Sequence, residues 1–136
     1  MGKVTSYHKG EMLFETKVGD YTVISDVPPD PTWGGKGRAP TPPEYFIVSL
    51  SSCIAAFVVQ YCKNSGINFD DMSVDVNFNK EEKPAYLKDI SVQVYLPHAE
   101  VGEREEAIKR VCEHCTVHET LTRLEHISIQ IIDSTK

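Results

Sequence analysis

From Tyr45 to Cys62 the chain carries no charged side chain, and that stretch dictates much of what can be built around it. Thr41-Pro42-Pro43-Glu44 precedes it. Thr41 is a good N-cap, Pro42 has the fixed φ wanted at the first helical position, and Glu44 completes a capping box. Gly66 supplies a C-terminal stop, so the spacing predicts one helix from Pro42 to about Ser65. Its residues are apolar nearly all round, which calls for burial on most sides. A chain of 136 residues covers such a helix more easily with a second subunit, so a dimer is expected.

The rest of the chain reads as strands and short helices. Met12–Val18 and Tyr21–Ser25 are strand-like runs joined by Gly19-Asp20, a two-residue type II′ hairpin turn. The segment from Asp26 to Pro40 is too rich in proline and glycine for regular structure, and loops of that length are often functional. Met72, Val74, Val76 and Phe78 alternate with polar residues, as do Ile90, Val92, Val94 and Leu96. These are half-buried antiparallel strands, joined by a Lys80–Pro84 connection. A second helix is expected over about Val101 to His114, with Ile108, Val111, Cys112 and Cys115 on one face. Thr116-Val117-His118-Glu119 reads as another capping box that starts a short helix reaching about Leu124. Ile127, Ile129 and Ile131 suggest a final strand. The layout is one α+β domain over residues 1–136, with antiparallel strands packed on a long buried helix.

Several function classes fall away. A net charge of −6 offers no basic face for phosphates, so nucleic acid is excluded as a partner. No run of 18 apolar residues occurs, so no membrane span is expected. Met1–Ser6 lacks the apolar segment of a signal peptide, and a cytoplasmic location follows. Four cysteines in such a chain suggest reduced thiols, metal ligands or redox chemistry before structural disulfides.

Cys53 sits mid-helix among small neighbours, Ser51, Ser52, Ala55 and Ala56, which let another element approach closely. It is either a reactive thiol in a crevice or an inert small hydrophobe. Cys62 lies nine residues on; at about 100° per residue it faces the opposite side, as packing. Cys115 falls between two helices, where free backbone N–H groups and the helix dipole favour a thiolate. It could equally continue the apolar face of Ile108 and Val111. Cys112 and Cys115 form a Cys-x-x-Cys, yet it does not follow a strand as a thioredoxin-type motif would. As zinc ligands the pair would need two more from Cys53, Cys62, His114, His118 or His126. His118 reads as a residue that orients or caps the short helix. Gly34-Gly35-Lys36-Gly37 lacks the Gly-Lys-Ser/Thr ending of a phosphate loop.

Two motifs together point to a family. Gly34-Gly35, Ala39–Phe46 and Ser49-Leu50-Ser51-Ser52-Cys53 resemble the central-helix region of the OsmC/Ohr proteins. Glu113-His114-Cys115-Thr116-Val117-His118-Glu119-Thr120-Leu121 resembles the second cysteine motif of that family. The resemblance implies a domain-swapped homodimer with its long helices back to back, and cysteine-based reduction of organic hydroperoxides. Cys53 would be the peroxidatic thiol and Cys115 the resolving one, without cofactor or metal. An external dithiol would regenerate them, in the Ohr branch a lipoylated protein. A mid-helix thiol needs a nearby cation, because burial alone raises its pKa. In the Ohr pattern an N-terminal arginine supplies it, held by a glutamate ten residues before the peroxidatic cysteine. Here Pro43 stands at that position and Glu44 one residue later, while Arg38 is the one arginine before Glu44. Arg38 is therefore the candidate cation and Glu44 its candidate holder. The dipole argument makes Cys115 the more acidic thiol, whereas the resemblance assigns first attack to Cys53. A non-enzymatic binding protein of the same fold, its cysteines inert, is the alternative; structural zinc at Cys112 and Cys115 ranks third.

Overall fold

A computed structural model describes residues 2–135, and its elements follow the α+β order read from the sequence. They are β1 (Val4–His8), β2 (Phe14–Val18), β3 (Tyr21–Ser25), α1 (Pro42–Ser65), β4 (Ser73–Glu82), β5 (Ala85–Tyr95), α2 (Glu105–Glu113) and α3 (Thr116–Arg123). The residues fall into two compact units, one of residues 1–49 and 76–91, the other of 50–75 and 92–136. Each is described in turn.

In the first unit β1, β2 and β3 form an antiparallel sheet in that order. Val18 pairs with Tyr21, leaving Gly19-Asp20 as the expected two-residue turn. The partner strand β1 lies upstream of the two predicted runs; its sequence, VTSYH, alternates too weakly to announce itself. The 26–40 segment has no helix or strand, as its prolines and glycines require. The start of α1 is the predicted capping box. Thr41 N–H donates to Glu44 Oε1 at 2.9 Å, and Glu44 N–H to Thr41 Oγ1 at 3.3 Å. Tyr45 donates its hydroxyl to Ile24 O on β3. In the distal part of the β4–β5 hairpin, the strands run through Lys80, Glu81 and Glu82, and the turn shrinks to Lys83-Pro84. Polar residues there suit a strand because they pair across it. Lys88 Nζ meets Glu81 Oε2 at 2.7 Å, and Asn79 Nδ2 meets Asp89 Oδ2 at 3.2 Å.

In the second unit α1 continues to Ser65. Gly66 adopts φ +70°, and Ile67 N–H donates to Cys62 O at 2.9 Å, closing the helix with a left-handed cap. The core is a stripe along α1, Leu50, Ile54, Val58 and Cys62, together with Ile108 and Cys115. Ser51 Oγ donates to Val74 O on β4. A 3₁₀ turn, Gly102–Arg104, leads into α2, so the second helix begins later than the apolar spacing suggests.

Two expectations are corrected. Along α1 a single stripe, beginning at Ile47, is buried. Phe46, Val48, Ser52, Ala56 and Gln60 are exposed. A helix apolar all round cannot be enclosed by so few surrounding elements in one chain. By length and composition α1 would also suit a bilayer, a property it shares with the core helices of soluble proteins. Finally, the segment around Ile127, Ile129 and Ile131 forms no strand, and these side chains are 70–83% exposed. Its alternation is that of a strand, but alternation alone does not set a ladder of hydrogen bonds.

Candidate functional site

Cys53 and Cys115, sixty-two residues apart in sequence, are neighbours in the second unit. Cys53 lies within hydrogen-bonding reach of the Cys115 thiol, and all four cysteines are free. Cys53 is partly exposed on α1, whereas Cys115 is completely buried. The N-cap of α3 is Cys115 itself, not the predicted Thr116. Its backbone is extended (φ −62°, ψ 148°), and its sulfur accepts the His118 N–H at 3.4 Å. Thr116 is the first helical residue. Glu119 turns away from the cap to His114 Nδ1 at 2.7 Å and Arg123 Nε at 2.9 Å, which hold its carboxyl below the usual range.

The expectation that Cys115 is an acidic thiol is also corrected. Burial pushes its pKa up, the His118 N–H opposes this in part, and the Cys53 thiol adds to the rise. Desolvation outweighs the dipole of an eight-residue helix. Burial likewise raises the thiol of Cys62, whose side chain is core packing.

Cys112, the next-to-last residue of α2, lies three residues before Cys115, whose N–H donates to Cys112 O at 3.4 Å. It borders a cavity of about 530 Å³ with Ile54, Val94, Leu96, Ile108 and His118. Among the described residues His118 Nδ1 is buried without a hydrogen-bond partner. A second cavity, of about 430 Å³, lies between α1 and α2 near Phe57, Tyr61, Arg110 and His114. Among the described residues no three His, Cys, Asp or Glu side chains converge as metal ligands, so the zinc alternative lacks a donor set.

The other two candidates belong to the first unit. Arg38 is held by Asp26, Nε to Oδ2 at 2.7 Å, and by Glu11, Nη1 to Oε1 at 3.4 Å. Glu44, the proposed holder, is occupied by the Thr41 cap, which lowers its pKa. Asp26 is the residue sequence reasoning missed. It is 1% exposed and accepts the N–H groups of Val27 (2.8 Å), Lys36 (3.4 Å) and Arg38 (3.1 Å) besides the guanidinium. The Arg38 side chain, opposed by burial, and these backbone donors bring its carboxyl down to about 2. Gly35 is buried against Val27 in the same loop.

Residues 35–131 match the family model described as OsmC-like protein. The fold is shared with a Psychrobacter arcticus protein named for osmotic stress induction and the detoxification response, at TM-score 0.77 and 16% identity over 88% of each chain. It is shared with an organic hydroperoxide resistance protein OsmC from Legionella pneumophila, at TM-score 0.64 and 19% identity over 90% of each chain. It is shared also with the organic hydroperoxide resistance protein OhrB of Bacillus subtilis, at TM-score 0.60 and 18% identity over 90% of each chain. Comparison with curated proteins found no match.

Proposed function

Because this chain belongs to the OsmC-like family, we propose that it is a cysteine-based peroxidase that reduces organic hydroperoxides. The observation that carries the reading is the meeting of two free thiols, Cys53 partly open and Cys115 fully enclosed. The Cys53 thiolate attacks a peroxide oxygen, the O–O bond breaks, and the alkoxide leaves as the alcohol after taking a proton. Sulfur is oxidised to a sulfenic acid. The Cys115 thiol then displaces hydroxide from that sulfur, water leaves, and the Cys53–Cys115 disulfide forms. An external dithiol, such as a lipoylated protein, restores both thiols by exchange. Access favours Cys53 as the attacking residue, while burial raises the pKa of the enclosed Cys115 thiol. Arg38 is the cation this reading assigns to the reaction, with Asp26 in the holding role expected of Glu44.

The reading includes a cytoplasmic homodimer. The exposed outer face of α1 and the isoleucine-rich C-terminal segment are the apolar surfaces a second copy would cover. The decisive assay follows cumene hydroperoxide in the presence of dihydrolipoamide. Wild type consumes it, Cys53→Ser does not, and Arg38→Ala is slower; an undiminished rate in Cys53→Ser overturns the proposal. The apolar walls of the larger cavity favour a second reading, a binding protein for an apolar small molecule with inert cysteines. That reading predicts no peroxide consumption by wild type.

A further inference from the structure

We propose that Cys112 is a third redox thiol, which takes over Cys115 from the Cys53–Cys115 disulfide and presents the resulting Cys112–Cys115 bond to the reductant. The inference rests on the peroxidase reading above and concerns the Cys-x-x-Cys that this reading leaves unused. Three features support it. The Cys115 N–H to Cys112 O bond closes a turn of four residues. Such a turn holds its end Cα atoms within about 7 Å, and disulfides span Cα separations of about 4.4–6.8 Å. Cys115 thus has a sulfur neighbour on each side, Cys53 from α1 and Cys112 from α2.

Exposure then gives the pair a direction. Cys115 is completely buried, while Cys112 is partly exposed and borders the larger cavity. Thiol exchange requires that the attacking sulfur reach its target; Cys112, partly exposed like Cys53, offers a dithiol an approachable sulfur that also borders the cavity. His118 borders the same cavity, and among the described residues its buried Nδ1 has no hydrogen-bond partner. Burial, then the nearness of Cys115, hold the Cys112 thiol above its ordinary pKa.

The exchange balances without another oxidant. Cys112 loses its proton and attacks the Cys115 sulfur, the Cys53–Cys115 bond breaks, and Cys53 leaves as a thiolate. The two oxidising equivalents now rest on Cys112 and Cys115, and Cys53 is free to meet a second hydroperoxide.

Trypsin separates the two disulfides. Cys112 and Cys115 share the peptide 111–123, whereas Cys53 lies in 39–63. In the first arm, Cys53→Ser is oxidised with diamide, which involves no peroxide chemistry. The expected product is peptide 111–123 lighter by two hydrogens and resistant to alkylation; a fully alkylatable peptide overturns the proposal whatever the protein's activity. In the second arm, wild type receives cumene hydroperoxide without a reductant. The 39–63/111–123 cross-link should rise and then give way to the internal 111–123 bond, with a second equivalent of peroxide consumed. Cys112→Ser should keep the cross-link and stop after one equivalent. A wild-type cross-link that persists overturns the relay alone, whereas wild type that consumes no peroxide overturns the peroxidase reading and the relay with it.

Discussion

Replacing Gly35 with alanine tests how tightly the loop that carries Arg38 is drawn together. A Cβ at this position would lie 2.1 Å from Val27 O, 2.3 Å from Val27 Cγ2 and 2.6 Å from Val27 C, and real Cβ atoms do not approach within 3.0 Å. The obstacle is backbone, so the loop must open by about 1 Å, and overpacking of that kind costs about 1–3 kcal/mol. Val27 O is also fixed by Gly37 N–H at 2.9 Å, and neighbouring Lys36 and Arg38 hang on Asp26 through their N–H groups. Losing one of these hydrogen bonds adds about 1 kcal/mol, for a total of about 2–4 kcal/mol. Urea denaturation should record that loss, and the melting temperature should fall by about 6–15 °C. Lys36→Ala, one residue on, is the control. Its ion pair with Glu11 is exposed, so it should change stability by less than about 0.5 kcal/mol. Gly35→Ala within about 0.5 kcal/mol of wild type would refute the close approach and the loop geometry built on it.

Other consequences can be measured alongside. Asp26 has its carboxyl lowered from 3.8 to about 2, so its contribution to stability is present above about pH 4 and is lost as pH falls through about 2. In urea titrations the gap between wild type and Asp26→Asn should narrow across that window; a gap independent of pH would contradict the assignment. Ile54 is 2% exposed, so Ile54→Ala should cost about 2–5 kcal/mol in urea denaturation. Thr41→Ala removes the helix cap and should cost about 1 kcal/mol in the same measurement. Light scattering should give wild type twice the 15.3 kDa chain mass and Ala56→Arg the single mass; an unchanged dimer would move the interface away from this face of α1.

What the sequence disclosed was local in its chemistry. The Thr41–Glu44 box and the Gly66 stop are each written within a few residues, and both stand where they were expected. Strand alternation likewise placed β2 to β5, because one half-buried face repeats every second residue. Asp26 escaped notice because its partners lie ten and twelve residues away and a loop aspartate looks like any turn residue. The cap at Cys115 was assigned one residue late because a hydroxyl stood beside it and sulfur is a poor acceptor. Its pKa went the other way because burial, a property of the whole fold, outweighs one short helix. The meeting of Cys53 with Cys115 was legible only through the family resemblance, since nothing local links two residues on separate helices.

The exposed C-terminal isoleucines bear on how the protein is handled. Ile127, Ile129, Ile131 and Ile132 belong to no helix or strand and are 70–83% exposed. A purification tag or fluorescent fusion appended there would sit beside this exposed apolar stretch, the surface the proposed dimer would cover. An N-terminal label leaves that stretch unencumbered and is the sounder choice for preparing the material on which every assay above depends.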